Sequence, residues 1–294
     1  MHTDATKRAE ATSPPLPALA PSRFHDVLAL ATSVAPWSPA VVAAVDIAAL
    51  WNSNVSGCYV PGCLREQRAL EDDPSVFSLL ADIQYDCPDD AYALRTYAKS
   101  RGARYVAWMV TRTAIAPTLR KLAAWHDLAV LERDMVDETR IFDILGEAML
   151  CSRIPCLVLP PGWNKPLSLK RMVVAWNGSF ESTRALHSAL PLLQRADDVI
   201  LINGHAREPC PRQLSVAEPD PVMYLMHHDV AAKPHYVNVP PDEAGETLLN
   251  VAHKEGADLL VMGGYGRSRI RERVFGGATR RVMAYASIPV FMQH

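Results

Sequence analysis

Residues 257–294 read "ADLLVMGGYGRSRIRERVFGGATRRVMAYASIPVFMQH". An aspartate opens the apolar run "DLLVM" (Asp258–Met262), a glycine- and arginine-rich loop follows, and a helix-like run leads through "S-I-P" to a last apolar run. The same order stands upstream. "HDLAVLERD" (His126–Asp134) and "ETRIFDILGEAMLCSRIPCLVLPP" (Glu138–Pro161) give aspartate, apolar strand, loop, amphipathic helix, "S-x-I-P" and a final strand. A shared order of elements, kept where the residues differ, is the mark of a tandem duplication.

Further out, the two halves keep step. "FHDVLALATS" (Phe24–Ser33) and "LKRMVVAWNGS" (Leu169–Ser179) open them as strand then loop, followed by the helices "PAVVAAVDIAALW" and "ESTRALHSALPLLQRA". In the latter, Ala185, Leu186, Ala189, Leu190 and Leu193 recur at helical spacing. "NVSGCYV" and "DDVILING" supply second strands, "RYVAWMV" and "HYVNV" third strands, and "AIAPTLRKLAAW" and "EAGETLLNVAHKEGA" third helices. The second helices fall near Asp89–Arg101 and Asp220–Val230. Strand runs without strict alternation, separated by helices, predict a parallel sheet covered on both faces. The expected fold is α/β, with two tandem Rossmann-like, doubly wound parallel-sheet domains. Residues 1–22, rich in Ala, Pro, Ser and Thr, form a disordered lead-in; 23–161 and 169–294 are the domains; 162–168, within the proline-rich "PPGWNKPLS", is the linker.

Bulk properties narrow the function. The chain has 294 residues, 49% hydrophobic and 21% charged, and a net charge of −2. No global basic field draws it to nucleic acid or anionic lipid, so neither is an expected partner. The most apolar helical run, Pro39–Trp51, is short and interrupted by Asp46, whereas a membrane span needs about 20 apolar residues. The N-terminus lacks an apolar signal core, which makes the cytoplasm the expected location and free thiols the expected state of the six cysteines. Cys58 and Cys156 fall in apolar runs, as core thiols do. Trp108 and Trp125 are expected in the core of the first half, and His227-His228 at a solvated helix end.

Ligands of such sheets bind at the carboxyl ends of the strands. The loop after Met262 lies at that edge, and Gly276 and Gly277 then open the helix "ATRRVMAYA". Free N–H groups and the dipole at a helix start favour phosphate, and glycine lets backbone approach closely. Thr279 adds a hydroxyl in the first turn, and Arg267 or Arg269 is within reach of a polyphosphate. No G-K-[ST] follows, and the spacing is not G-x-G-x-x-G. On physics alone the loop reads equally as an anion cradle and as a glycine-rich surface loop.

Gly263-x-x-Gly266, nine residues, then Gly276 resembles the G-x2-G-x9-G-[S/T] signature of universal stress proteins. "VVAWNGSFESTRAL", "GADLLVMGGYGRSRIRERVFGGATRRV" and "IPVF" fall in that family's order, so the chain resembles a tandem universal stress protein with a motif-free first half. The resemblance implies binding of ATP, with or without Mg²⁺, or of a related adenine nucleotide in the second half. It implies Gly263, Gly266 and Arg267 on the ribose–phosphate side, and Gly276, Gly277, Ala278 and Thr279 around the phosphates. Ala175 and Trp176 would flank the base, with Asn177 near the ribose and adenine. Gly277 stands where the family has Ser or Thr, and Asn177 where it often has Asp. The first half carries "ERDMVDETR" at the loop position, where Glu132, Asp134, Asp137 and Glu138 repel phosphate; no nucleotide is expected there. That half is expected to pack against the second as protomers of a dimer do, leaving homodimerisation open. The implied role is a stress-response regulator acting on an unidentified protein partner. A nucleotide-independent scaffold is the rival reading. Catalysis beyond weak ATP hydrolysis is not expected, since the sequence offers no positioned base, nucleophile or metal-binding carboxylate pair.

Overall fold

The computed structural model describes residues 22–67, 87–204, 220–240, 242–264 and 276–294. Of the expected lead-in, only Ser22 is among them, its N–H donating to Gln194 Oε1 at 2.9 Å.

Each half contributes five strands to one ten-stranded sheet of order β3-β2-β1-β4-β5-β10-β9-β6-β7-β8. In the first half these are β1 (Asp26–Ala31), β2 (Asn54–Tyr59), β3 (Val106–Val110), β4 (Leu128–Glu132) and β5 (Cys156–Leu159). In the second they are β6 (Arg171–Trp176), β7 (Asp198–Gly204), β8 (Ala232–Val237), β9 (Leu259–Gly263) and β10 (Val290–Gln293). Neighbours within each half are parallel. The halves meet through the antiparallel pair β5–β10, with Leu157 opposite Phe291. The carboxyl ends of the two sets of strands therefore point to opposite edges of the sheet.

Burial on both faces explains the unalternating apolar strands. In β1, Val27, Ala29 and Ala31 face one core and Leu28 and Leu30 the other. The first core is covered by α1 (Pro39–Trp51), α3 (Pro88–Ser100), α6 (Phe180–Leu193) and α7 (Pro221–His227). The second is covered by α4 (Ile115–Ala123), α5 (Glu147–Ser152), α8 (Ala244–Lys254) and α9 (Gly277–Tyr285), with the short α2 (Gly62–Arg65) beside them. Pro39 starts α1, where its missing N–H costs nothing, and Asn52 ends it in the left-handed region at φ 53°.

Three expectations need correction. The amphipathic helix after Asp137 is not continuous: a 3₁₀ turn (Glu138–Arg140) and a π turn (Phe142–Gly146) precede α5. The Asp137 side chain accepts from the N–H of Thr139, a local bond that competes with helical hydrogen bonding. The second-half helix expected near 220–230 is only Pro221–His227. Trp125 is 78% exposed rather than in the core, because it lies just past the end of α4. Among the described residues, no helix is long and apolar enough to cross a membrane.

Candidate functional site

In the second half the strand order reverses between β6 and β9, which are parallel, with Ala175 opposite Met262. This register brings Asn177 and Gly263 to one carboxyl edge. At Gly263, a Cβ would lie 2.4 Å from the backbone N of Ser182 and 2.6 Å from the carbonyl carbon of Glu181. The start of α6 thus rests directly on the end of β9. The demand for glycine here is one of space, and no side chain fits without moving backbone.

The turn from β6 into α6 is held by its own side chains. Asn177 Oδ1 accepts from the Ser179 N–H at 3.1 Å, and Ser179 Oγ accepts from the Ser182 N–H at 3.2 Å. Serine is a favoured N-cap because it satisfies such an otherwise unpaired donor. Trp176 Nε1 donates to Thr183 Oγ1 at 3.1 Å, tying that ring to α6. Strand alternation sends Trp176 to the first core and Ala175 to the second.

The other component is the start of α9. Since β9 ends at the carboxyl edge and β10 begins at the opposite one, α9 runs back across the sheet with its N-terminus at the carboxyl edge. Gly276 is its N-cap and offers no side-chain cap. Among the described residues, a Cβ at Gly276 or Gly277 would meet nothing within 4 Å. The N–H groups of Gly277, Ala278 and Thr279 belong to the first turn, where intrahelical acceptors are lacking and the dipole is positive. Thr279 itself is buried. Gly245 of α8 holds the end in place: its Cβ would come within 2.9 Å of Ala278 Cα and 2.6 Å of Arg281 Cβ. The expected ligand-lining Gly266 and Arg267 lie outside the described residues, as does Arg269.

One neighbouring group was missed from sequence. Glu181, buried in the first turn of α6, makes no hydrogen bond or ion pair among the described residues and sits against Gly263. Its signal was an acid just after a serine N-cap, a pattern of helix starts.

The first half has the same switch point, between β1 and β4, built differently. Glu132 ends β4 where Gly263 ends β9, and it is 5% exposed. Its carboxylate accepts from the Ala40 N–H at 3.1 Å and from the Thr32 hydroxyl at 2.9 Å. Burial raises the Glu132 carboxyl above the ordinary glutamate value, against the lowering effect of the Ala40 bond. The start of α1 thus already holds an anion supplied by the chain. Two other acids of that loop are also engaged: Asp134 Oδ2 accepts from the Gly162 N–H at 2.9 Å, and Asp137 Oδ1 from the Thr139 N–H at 2.9 Å. Cys58 and Cys156 are buried, and burial pushes both thiols up to about 12.

Comparison with known proteins fits this architecture. Residues 168–294 match the sequence model of the Universal stress protein family. No curated protein matches the chain. A universal stress protein from Archaeoglobus fulgidus DSM 4304 superposes with a TM-score of 0.63 at 12% identity, covering 92% of this chain and 96% of that one. A protein of unknown function from Pseudomonas aeruginosa PAO1 gives 0.59 at 12% identity, covering 92% of each chain. The cytoplasmic domain of a prokaryotic cation chloride cotransporter gives 0.51 at 11% identity, covering 92% of this chain and 95% of that one. At such identities the likeness is one of fold, and it runs through both halves.

Proposed function

We propose, for a chain that belongs through residues 168–294 to the Universal stress protein family, that the second half binds an adenine nucleotide, ATP foremost, and serves as a stress-response regulator. The observation that carries this reading is the glycine start of α9, which no side chain caps among the described residues, at the edge where Gly263 and Asn177 also stand. Phosphate oxygens suit the N–H groups of Gly277, Ala278 and Thr279, because a helix start supplies both donors and a positive dipole. Gly263, Gly266 and Arg267 line the ribose–phosphate side in this reading, and Ala175, Trp176 and Asn177 the base and ribose side. Gly277 supplies its backbone donor without a hydroxyl. Mg²⁺ enters, if at all, with the nucleotide. The role is regulatory rather than catalytic: nucleotide occupancy alters how the protein meets a partner.

Calorimetric titration of ATP with Mg²⁺ into the protein and into Gly276→Asp tests this. Aspartate is a good N-cap and meets no neighbour among the described residues at this position, so the variant should keep its fold while placing a carboxylate at the phosphate seat. Saturable binding at one site per chain, weakened at least about tenfold in the variant, is expected. No heat and no rise in melting temperature with the unmodified protein would favour a nucleotide-independent scaffold.

A further inference from the structure

We propose a second ligand seat, for a small oxyanion, in the cleft between the inter-half linker and the C-terminal end of α9. Because β5 and β10 are antiparallel, this cleft lies at the opposite edge of the sheet from the nucleotide site. It opens beyond the end of β5 and the start of β10, with a volume of about 470 Å³, a size typical of small-molecule sites. Arg133, Trp163, Asn164, Lys165, Tyr285 and Ser287 line it, and none of the described residues that line it is acidic.

The argument rests on Arg133. It follows Glu132 at the end of β4 and is only 9% exposed. Its Nη1 donates to the carbonyl oxygens of Met283 at 2.8 Å and Ala286 at 3.0 Å, which closes the C-terminal end of α9. Those carbonyls, the negative end of the helix, are thereby turned to the guanidinium and withheld from the cleft. Nε and Nη2 make no hydrogen bond, and Arg133 makes no ion pair, among the described residues. Asp134 and Glu138 are the acids that act on it, and Asp134 is turned to the linker at Gly162. A buried guanidinium that hydrogen-bonds no carboxylate among the described residues is an unusual thing to leave in a fold, since buried charge is ordinarily paired.

The surroundings add donors. Lys165 is exposed at the mouth, and the Asn164 amide and the hydroxyls of Tyr285 and Ser287 can also donate. A wall of donors with two cations and no acid complements an acceptor with negative charge. Carboxylate and phosphate share that chemistry. Arginine binds either through two parallel N–H bonds, and its Nε and one Nη form one such fork.

Pyrophosphate and citrate, titrated separately by calorimetry, distinguish the two sources. The titrations use the unmodified protein, the Gly276→Asp protein, in which the helix-start seat is blocked, and that protein carrying Lys165→Glu as well. We expect one probe to bind saturably at one site in the Gly276→Asp background, and Lys165→Glu to weaken it at least about tenfold. Tighter pyrophosphate assigns the seat to phosphate esters, tighter citrate to polycarboxylates. Arg133→Met abolishes binding too, but it also loosens the end of α9, so the exposed Lys165 is the deciding position. The proposal falls if neither probe saturates, if binding is lost with Gly276→Asp alone, or if Lys165→Glu leaves affinity within about twofold. The nucleotide reading stands or falls separately, on ATP and Gly276→Asp.

Discussion

At the end of β9 stands Gly263, and at the same place in the first half, at the end of β4, stands Glu132. Gly263 lets the start of α6 press onto the strand, the backbone of Glu181 and Ser182 taking the place of a side chain. Glu132 reaches across and gives its own carboxylate to the N–H of Ala40 in α1 and to Thr32. Two copies of one scaffold thus close the strand at the switch point in opposite ways: glycine admits the backbone of α6 in one, and a carboxylate reaches the start of α1 in the other. An α/β carboxyl edge is where such folds take ligands, and the residue closing the strand decides what is packed against it.

The largest effect that would test this contrast is steric. Gly263→Val forces a side chain into the backbone of Glu181 and Ser182, and should cost ~3 kcal/mol in urea unfolding, as overpacking against immovable atoms does. Wild-type stability in that variant would show that β9 and α6 do not approach so closely. Next, Glu132→Ala leaves the Ala40 N–H without its acceptor and should cost about 1–2 kcal/mol. It should not bring a second ATP into the chain, because Asp134, Asp137 and Glu138 remain in the loop after β4 and repel phosphate; two ATP sites by titration would break the comparison.

The smallest effect sharpens it. Burial holds the Glu132 pKa above the ordinary value. Between the ordinary and the raised value the folded chain keeps a proton that the unfolded chain has released. Stability therefore falls as pH rises through that window. Glu132→Gln keeps an oxygen for Ala40 and removes the titration. The slope should flatten, with stability at neutral pH equal to or above that of the parent by up to about 1 kcal/mol.

Much of this arrangement was legible in the order of residues. Apolar runs such as "DLLVM" and "DVLALA" sit where strands form because a doubly covered sheet requires them. Gly263 and Gly276 could be singled out because glycine is used where backbone must come close or stay open. The pairing of β5 with β10 was expected only as dimer-like packing of the halves, since no local pattern encodes which strand edges join. Glu132 was read as a loop charge repelling phosphate. Only the fold shows it turned inward, because the contact with Ala40 spans 92 positions of sequence. Arg133 gave no signal at all: its acceptors lie at Met283 and Ala286, across the junction of the halves.

That junction has a consequence for descent. Two identical subunits joined edge to edge must accept every substitution twice, and a change that suits one copy is imposed on the other. Here β5 and β10 carry different sequences within one polypeptide. A carboxylate can settle in one copy while glycine persists in its twin, so each half can change at its switch point without that change being imposed on the other.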